Sequence, residues 1–173
     1  MSDWLYSNSS DNKNRFILGE KGLHPLICIG INPSTATPSK LDNTLRTVKN
    51  RALSLGYDSW IMINIYPQRA TEPKNLDKQL NSETHKKNIE ELKNLFSNTQ
   101  HDIWAAWGTS IKIRPYLTTC LQEINQVIPS NNAKWFTIGK RSKEGHPHHP
   151  LYLKKCLSLD IFDIDGYLIE QTK

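Results

Sequence analysis

The sequence predicts an α/β fold in three layers, α/β/α, around a central, mainly parallel four-stranded sheet. Two observations carry that expectation. Short apolar runs alternate with longer amphipathic stretches, the pattern of parallel strands joined by crossover helices. The clearest of those runs is also continuous in its apolar character, as for a strand buried on both faces. A length of 173 residues suits one domain with a real core and is short for two. The expected organisation is therefore a single domain over 1–173, with 1–13 a flexible or loosely packed N-terminus.

Leu26-Ile27-Cys28-Ile29-Gly30 reads as the first strand and ends in a Gly-Ile-Asn-Pro turn. Leu41, Leu45, Val48, Ala52 and Leu55 recur at helical spacing over 40–55, and Gly56 stops that helix. Trp60 to Ile65 reads as the second strand, after which Pro67 and Pro73 enforce a loop. A second helix fits 82–96, with Ser82 as N-cap and Ile89, Leu92, Leu95 and Phe96 on its apolar face. Ile103 to Trp107 forms the third strand and stops at Gly108. Residues 109–128 read as a third helix with Pro115 in its first turns or kinking it. Lys134 to Ile138 is the fourth strand. The loop 139–150 follows, then a short helix around 151–159 and a hairpin or closing edge strand over 161–169, turning at Asp165-Gly166.

Hydrophobic residues make up 37% and charged residues 23% of the chain, which fits a globular and not a disordered protein. No apolar run approaches the roughly 20 residues of a membrane helix, and residues 1–15 hold no secretory h-region, so no membrane association and a cytoplasmic location are expected. Cys28, Cys120 and Cys156 are too few and too scattered for a disulfide framework or a cysteine-rich metal site. The net charge of +5 favours a polyanionic partner, DNA or a nucleotide.

In parallel sheets ligands gather beyond the carboxyl ends of the strands, so the residues leaving each strand are the candidates. After the first come Gly30, Ile31, Asn32, Pro33 and Ser34, a turn that allows close backbone approach and offers an amide. After the second comes Asn64, whose amide can pair with the edge of a nucleobase, with Tyr66 to stack and Arg69 to hold a phosphate. Trp107, Gly108 and Thr109 open a helix whose free N–H groups can meet an anion. Each also has a plain structural reading as a turn, a loop cap or a helix cap. The last candidate segment, Gly145-His146-Pro147-His148-His149-Pro150-Leu151-Tyr152, places three histidines within four residues, preceded by Arg141. A metal site is one reading of it, but no acidic partner accompanies the histidines. A rigid loop whose imidazole hydrogen-bonds a substrate carbonyl fits better.

Taken in chain order, Gly30-Ile31-Asn32-Pro33, Asn64, Trp107-Gly108 and the His-Pro loop resemble the uracil-DNA glycosylase superfamily, the first motif its mismatch-specific branch. The chain is also similar to a bacterial and phage family known as domain of unknown function sixteen-forty-three. That similarity rests on Gly30 to Ser34, Ala70-Thr71, Ala105 to Gly108 and Gly145 to Tyr152, spans roughly residues 14–153, and implies no activity of its own. The glycosylase resemblance implies a uracil-DNA glycosylase-like fold and a hydrolase that cleaves the N-glycosidic bond of a damaged or modified base without metal or organic cofactor. It implies that Asn32 orients the attacking water, that Asn64 reads the base edge, and that the 146–149 loop stabilises the leaving base, with His146 and His149 as alternatives. His148 and Tyr152 belong to the same loop, and Leu151 is placed as a wedge into the duplex. The rival expectation is a non-catalytic nucleic-acid or nucleotide binder with the same pocket, which the charge of Arg69 and Arg141 would suit. A metal-dependent hydrolase centred on His146, His148 and His149 is the third.

Overall fold

The computed structural model describes residues 3–97 and 100–173. Its strands are β1 (Trp4–Asn8), β2 (Arg15–Glu20), β3 (Pro25–Gly30), β4 (Ser59–Asn64), β5 (His101–Ala105), β6 (Ala133–Ile138) and β7 (Leu159–Ile161). The helices are α1 (Asn43–Ser54), α2 (Ser82–Leu95), α3 (Tyr116–Val127) and α4 (Ile164–Gln171). The strands form one mixed sheet in the order β1-β2-β4-β3-β5-β6-β7. The four strands read from the sequence are its parallel centre, β4-β3-β5-β6. A four-stranded, mainly parallel sheet is nevertheless too small an expectation. The described residues form seven strands, and antiparallel pairings join β1 to β2, β2 to β4 and β6 to β7.

Alternation along the central strands sends side chains to two separate cores. Ile27, Ile29, Ile61, Ile63 and Ile103 face α2, α3 and α4, meeting Leu92, Phe96, Leu121, Ile124 and Leu168. Leu26, Cys28, Trp60, Met62 and Trp104 face α1 through Leu45, Val48 and Ala52. The sheet is thus covered on both sides, which is why β3 and β4 read as unbroken apolar runs.

Several local expectations are corrected. Asp42 caps α1 by accepting from the Leu45 N–H at 2.9 Å, and Gly56 follows the helix at φ +92°. The cap of α2 is Asn81, one residue before the expected Ser82, its side-chain carbonyl accepting from the Thr84 N–H at 3.1 Å. The third helix is split: residues 108–113 form 3-10 turns, and α3 starts only after Pro115. Pro115 has no N–H to extend an earlier helix, so it begins a new one. No helix forms over 151–158, where the buried Arg51 guanidinium donates to the carbonyls of Lys154, Lys155 and Leu157 and holds the segment open. Asp165-Gly166 turns no hairpin: Asp163 caps α4 through the Gly166 N–H, and the edge strand is β7, just upstream. The N-terminal stretch expected to pack loosely supplies β1, which pairs with β2 from Trp4 to Asn8. Among the described residues no helix is long and apolar enough to cross a membrane.

Candidate functional site

The strand order sets the position of the site. From β3 the chain crosses through α1 to β4 on one side, whereas from β5 it crosses through α3 to β6 on the other. Loops leaving the carboxyl ends of β3 and β5 therefore diverge and leave a crevice between them. On the α1 side of that crevice, Asn64, Gly30 and Ala106 lie side by side on adjacent strands. Gly30 and Ala106 contribute almost no bulk, and a cleft of about 300 Å³ opens there. A methyl group on Gly30 would stand 3.1 Å from Asn64 Oδ1 and 2.7 Å from Met62 Cε, so the glycine is what keeps the Asn64 amide accessible from this side.

Asn64 is 1% exposed, and among the described residues neither its Oδ1 nor its Nδ2 has a hydrogen-bond partner. A buried amide with both ends unsatisfied costs on the order of 1–3 kcal/mol per group. At the floor of a cleft, such a group leaves a donor and an acceptor available to whatever enters it.

The loops above Asn64 are laced together. Ile65, Tyr66 and Ala70 donate their N–H groups to the carbonyls of Gly30, Ile31 and Pro33 at 2.9 Å each. Asn32 Nδ2 donates to Pro33 O at 2.9 Å and Ala70 O at 2.8 Å, which commits its nitrogen to the loops and fixes where its Oδ1 sits. Asn32, Pro33, Ser34, Thr71, Ser110 and the His149–Tyr152 segment line the cleft, as does Ile31. Tyr152 stands at its mouth, 96% exposed and at φ +68°, a left-handed conformation that costs a non-glycine residue about 1 kcal/mol or more.

The histidines of the loop occupy different positions relative to the cleft. His146 is 1% exposed and lies away from the cleft. Trp107 Nε1–H donates to the Tyr167 hydroxyl at 3.0 Å, and that hydroxyl meets His146 Nδ1 at 2.8 Å. An indole can only donate, so the Tyr167 hydroxyl accepts from Trp107 while it also pairs with His146 Nδ1, and this chain of two bonds ties the loop to α4. Tyr167→Phe leaves two buried groups unpaired and is expected to lower stability by roughly 2–4 kcal/mol, read from chemical denaturation. A loss under about 0.5 kcal/mol would contradict this role for the chain.

His149, by contrast, reaches the cleft from its rim. The Leu151 N–H donates to His149 Nδ1 at 3.2 Å, so in the neutral ring the proton sits on Nε2, a donor for a ligand. Burial against the loop lowers the His149 pKa, with the charge of His148 adding to it and Asp42 opposing. Between that lowered value and the ordinary 6.5, the unfolded chain binds more protons than the folded one. Stability is expected to fall as pH drops through this window, and protonating Nδ1 also removes the acceptor of the Leu151 N–H. A melting midpoint in His149→Asn that loses as much on acidification as the wild type would contradict that assignment.

Four other sequence candidates serve the scaffold. Tyr66 is fully buried and donates to Asp77 Oδ2 at 2.8 Å, so it has no face to stack on a base. Arg69 points back into the fold, donating to Ser34 O, Ala36 O and the Tyr6 hydroxyl. Arg141 lies over the Phe162 ring, 5.6 Å from its centroid and off the cleft lining. Trp107 touches the cleft but is fully buried, its N–H committed to Tyr167. Gly108, at φ +64°, and His148, whose Nδ1 bonds His149 O, line a separate shallow pocket. Among the described residues no three His, Cys, Asp or Glu side chains converge as metal ligands would.

Arg15 and Asp42, with Thr44 beside them, were not read as candidates, yet all three line the cleft. Nothing in a lone arginine at a strand start or an Asp before a helix distinguishes them in sequence. A larger groove of about 830 Å³ runs between β6, β7 and α4, but its walls contain none of the buried unpaired polar atoms found in the cleft.

Fold and site together define a mixed α/β protein with a preorganised polar cleft at the carboxyl ends of its parallel strands. The chain belongs to the family described as Protein of unknown function (DUF1643), whose model matches residues 15–151. That span includes all of the cleft lining except Tyr152. No curated protein and no solved structure matches the chain.

Proposed function

We propose that this chain recognises a nucleobase in the cleft and hydrolyses its N-glycosidic bond, the activity implied by its resemblance to the uracil-DNA glycosylase superfamily. The observation that carries the reading is the Asn64 amide, buried with both polar ends unpaired at the cleft floor. An amide offers one donor and one acceptor in a plane, the complement of the N–H and C=O pair on a base edge. Asn32 Oδ1, oriented by the two bonds of its Nδ2, is the group to hold a water against C1′. The water oxygen bonds to C1′, and the C1′–N bond breaks with its electron pair leaving on the base. The water's surplus proton ends on the released base. His149 Nε2–H faces the charge that develops there. Tyr152, exposed at the mouth, is the aromatic surface available for stacking.

One observation favours a second reading, a nucleotide binder without chemistry. Among the described residues Asp42 is the one carboxylate lining the cleft, and its Oδ1 is held by the Leu45 N–H. The test is base release from single- and double-stranded oligonucleotides carrying uracil, mismatched thymine, hypoxanthine or alkylated bases, with wild type beside Asn32→Ala. Release that drops at least ~100-fold in the folded variant supports hydrolysis. Binding without release supports the second reading, and neither binding nor release contradicts both.

A further inference from the structure

We propose that Arg15 and the first turn of α1 form an anion subsite of the cleft that takes a phosphate group of the same ligand whose base meets Asn64; this rests on the nucleobase reading above. Arg15 is 2% exposed and lines the cleft, and among the described residues its Nε has no hydrogen-bond partner. Among the described residues its guanidinium makes one hydrogen bond, a long one from Nη1 to Ala36 O at 3.3 Å, and no ion pair. Arg69 donates to that same Ala36 carbonyl at 3.1 Å, and its own Nε is also buried and unpaired. Two guanidinium groups therefore converge on one neutral oxygen. Burial and the neighbouring Arg69 push the Arg15 pKa down to about 10, with Asp42 opposing.

A buried cation without a bonded counter-charge is expensive, and a protein that needed only packing would hold an apolar side chain there. The surroundings suit an anion. Asp42 and Thr44 bring the N-terminus of the twelve-residue α1 to the cleft wall. The Asp42 side chain takes the Leu45 N–H and its carbonyl takes the Arg46 N–H, so the preceding N–H groups of that turn remain for a ligand. Thr44 and Ser34 line the same cleft and carry hydroxyls. Against two arginines stands one carboxylate, Asp42, which leaves the local balance positive. The chemistry is a phosphate attached to a nucleoside, either a free monoester or the diester of a nucleic acid strand.

The experiment is calorimetric titration with the four common ribo- and deoxyribonucleosides, their 5′-monophosphates, short single-stranded oligonucleotides and inorganic phosphate. Wild type is compared with Arg15→Met and Asp42→Asn, the latter keeping an acceptor for the helix cap. The expected result is that a monophosphate or an oligonucleotide binds wild type about 10- to 100-fold tighter than the matching nucleoside. Which of the two gains more identifies the phosphate source. Arg15→Met is expected to erase that gap while nucleoside affinity stays, and Asp42→Asn to widen it. If no nucleoside binds, the base reading fails by itself. Binding of inorganic phosphate that is lost in Arg15→Met and tightened in Asp42→Asn would still support the subsite. Equal affinity for nucleoside and phosphorylated ligands in wild type would overturn the proposal. So would phosphate-dependent binding that Asp42→Asn leaves no tighter, even if Arg15→Met fails to fold.

Discussion

Asn64→Leu is expected to weaken ligand binding by about 100-fold or more while leaving the melting midpoint equal to or above that of the wild type. Leucine keeps the branched shape of asparagine at a position that is 1% exposed, but it carries neither the donor nor the acceptor now left unpaired there. Removing two unsatisfied buried atoms relieves a desolvation penalty, so the fold has nothing to lose from the exchange. A ligand that spends a donor and an acceptor on this amide loses both bonds and must bury its own polar edge against a methyl surface. A structural asparagine would behave in the opposite way, with stability falling and affinity following only as the folded fraction shrinks. Thermal denaturation beside titration separates the two. A drop in the midpoint of several degrees with affinity preserved would remove Asn64 from the recognition site.

Gly19→Ala is the second large effect, and it falls on the scaffold. Gly19 lies in β2 opposite Ile61 of β4. A Cβ there would stand 2.4 Å from the Trp60 carbonyl oxygen and 2.7 Å from the Ile61 Cα, both backbone atoms that cannot rotate away. A single methyl group must therefore push β2 off β4, where Leu18 pairs with Met62 and the α1-side core is sealed. The expected loss is roughly 3 kcal/mol or more by urea denaturation. A change below about 1 kcal/mol would mean that β1 and β2 are not docked on the central strands as described.

The reach of the sequence follows from how local each signal is. Of the four central strands β3 and β4 were the most legible, because burial on both faces makes their apolar runs nearly unbroken, and α1 and α2 were legible because a helical stripe survives in a window of 15 residues. β2 escaped because its apolar run, Phe16 to Leu18, is only three residues long between Arg15 and Gly19, and β1 because its side chains are only partly covered. Their antiparallel pairing with β4 is a non-local fact. Asn32, Asn64 and His149 were accessible to sequence reasoning through a topological rule, that residues leaving parallel strands gather at one edge. Tyr66 and Arg69 leave the same strand, yet turn inward, since direction depends on Asp77 and on the carbonyls of Ser34 and Ala36, which lie far along the chain or on another loop. Arg15 carried no local signal at all. It becomes visible only when β2 is laid beside β4 and the loop of Ala36 closes over it.

The most direct test of the account is the side-chain amide of Asn64 itself. In ¹⁵N-labelled protein its NH₂ pair is assigned by its disappearance from the spectrum of Asn64→Leu, and free nucleobases and nucleosides are then titrated in. The account expects that pair to shift, in step with Gly30 and the His149–Leu151 backbone, as one of the bases saturates the cleft. Saturating concentrations of every base and nucleoside that leave the Asn64 amide unmoved would contradict it.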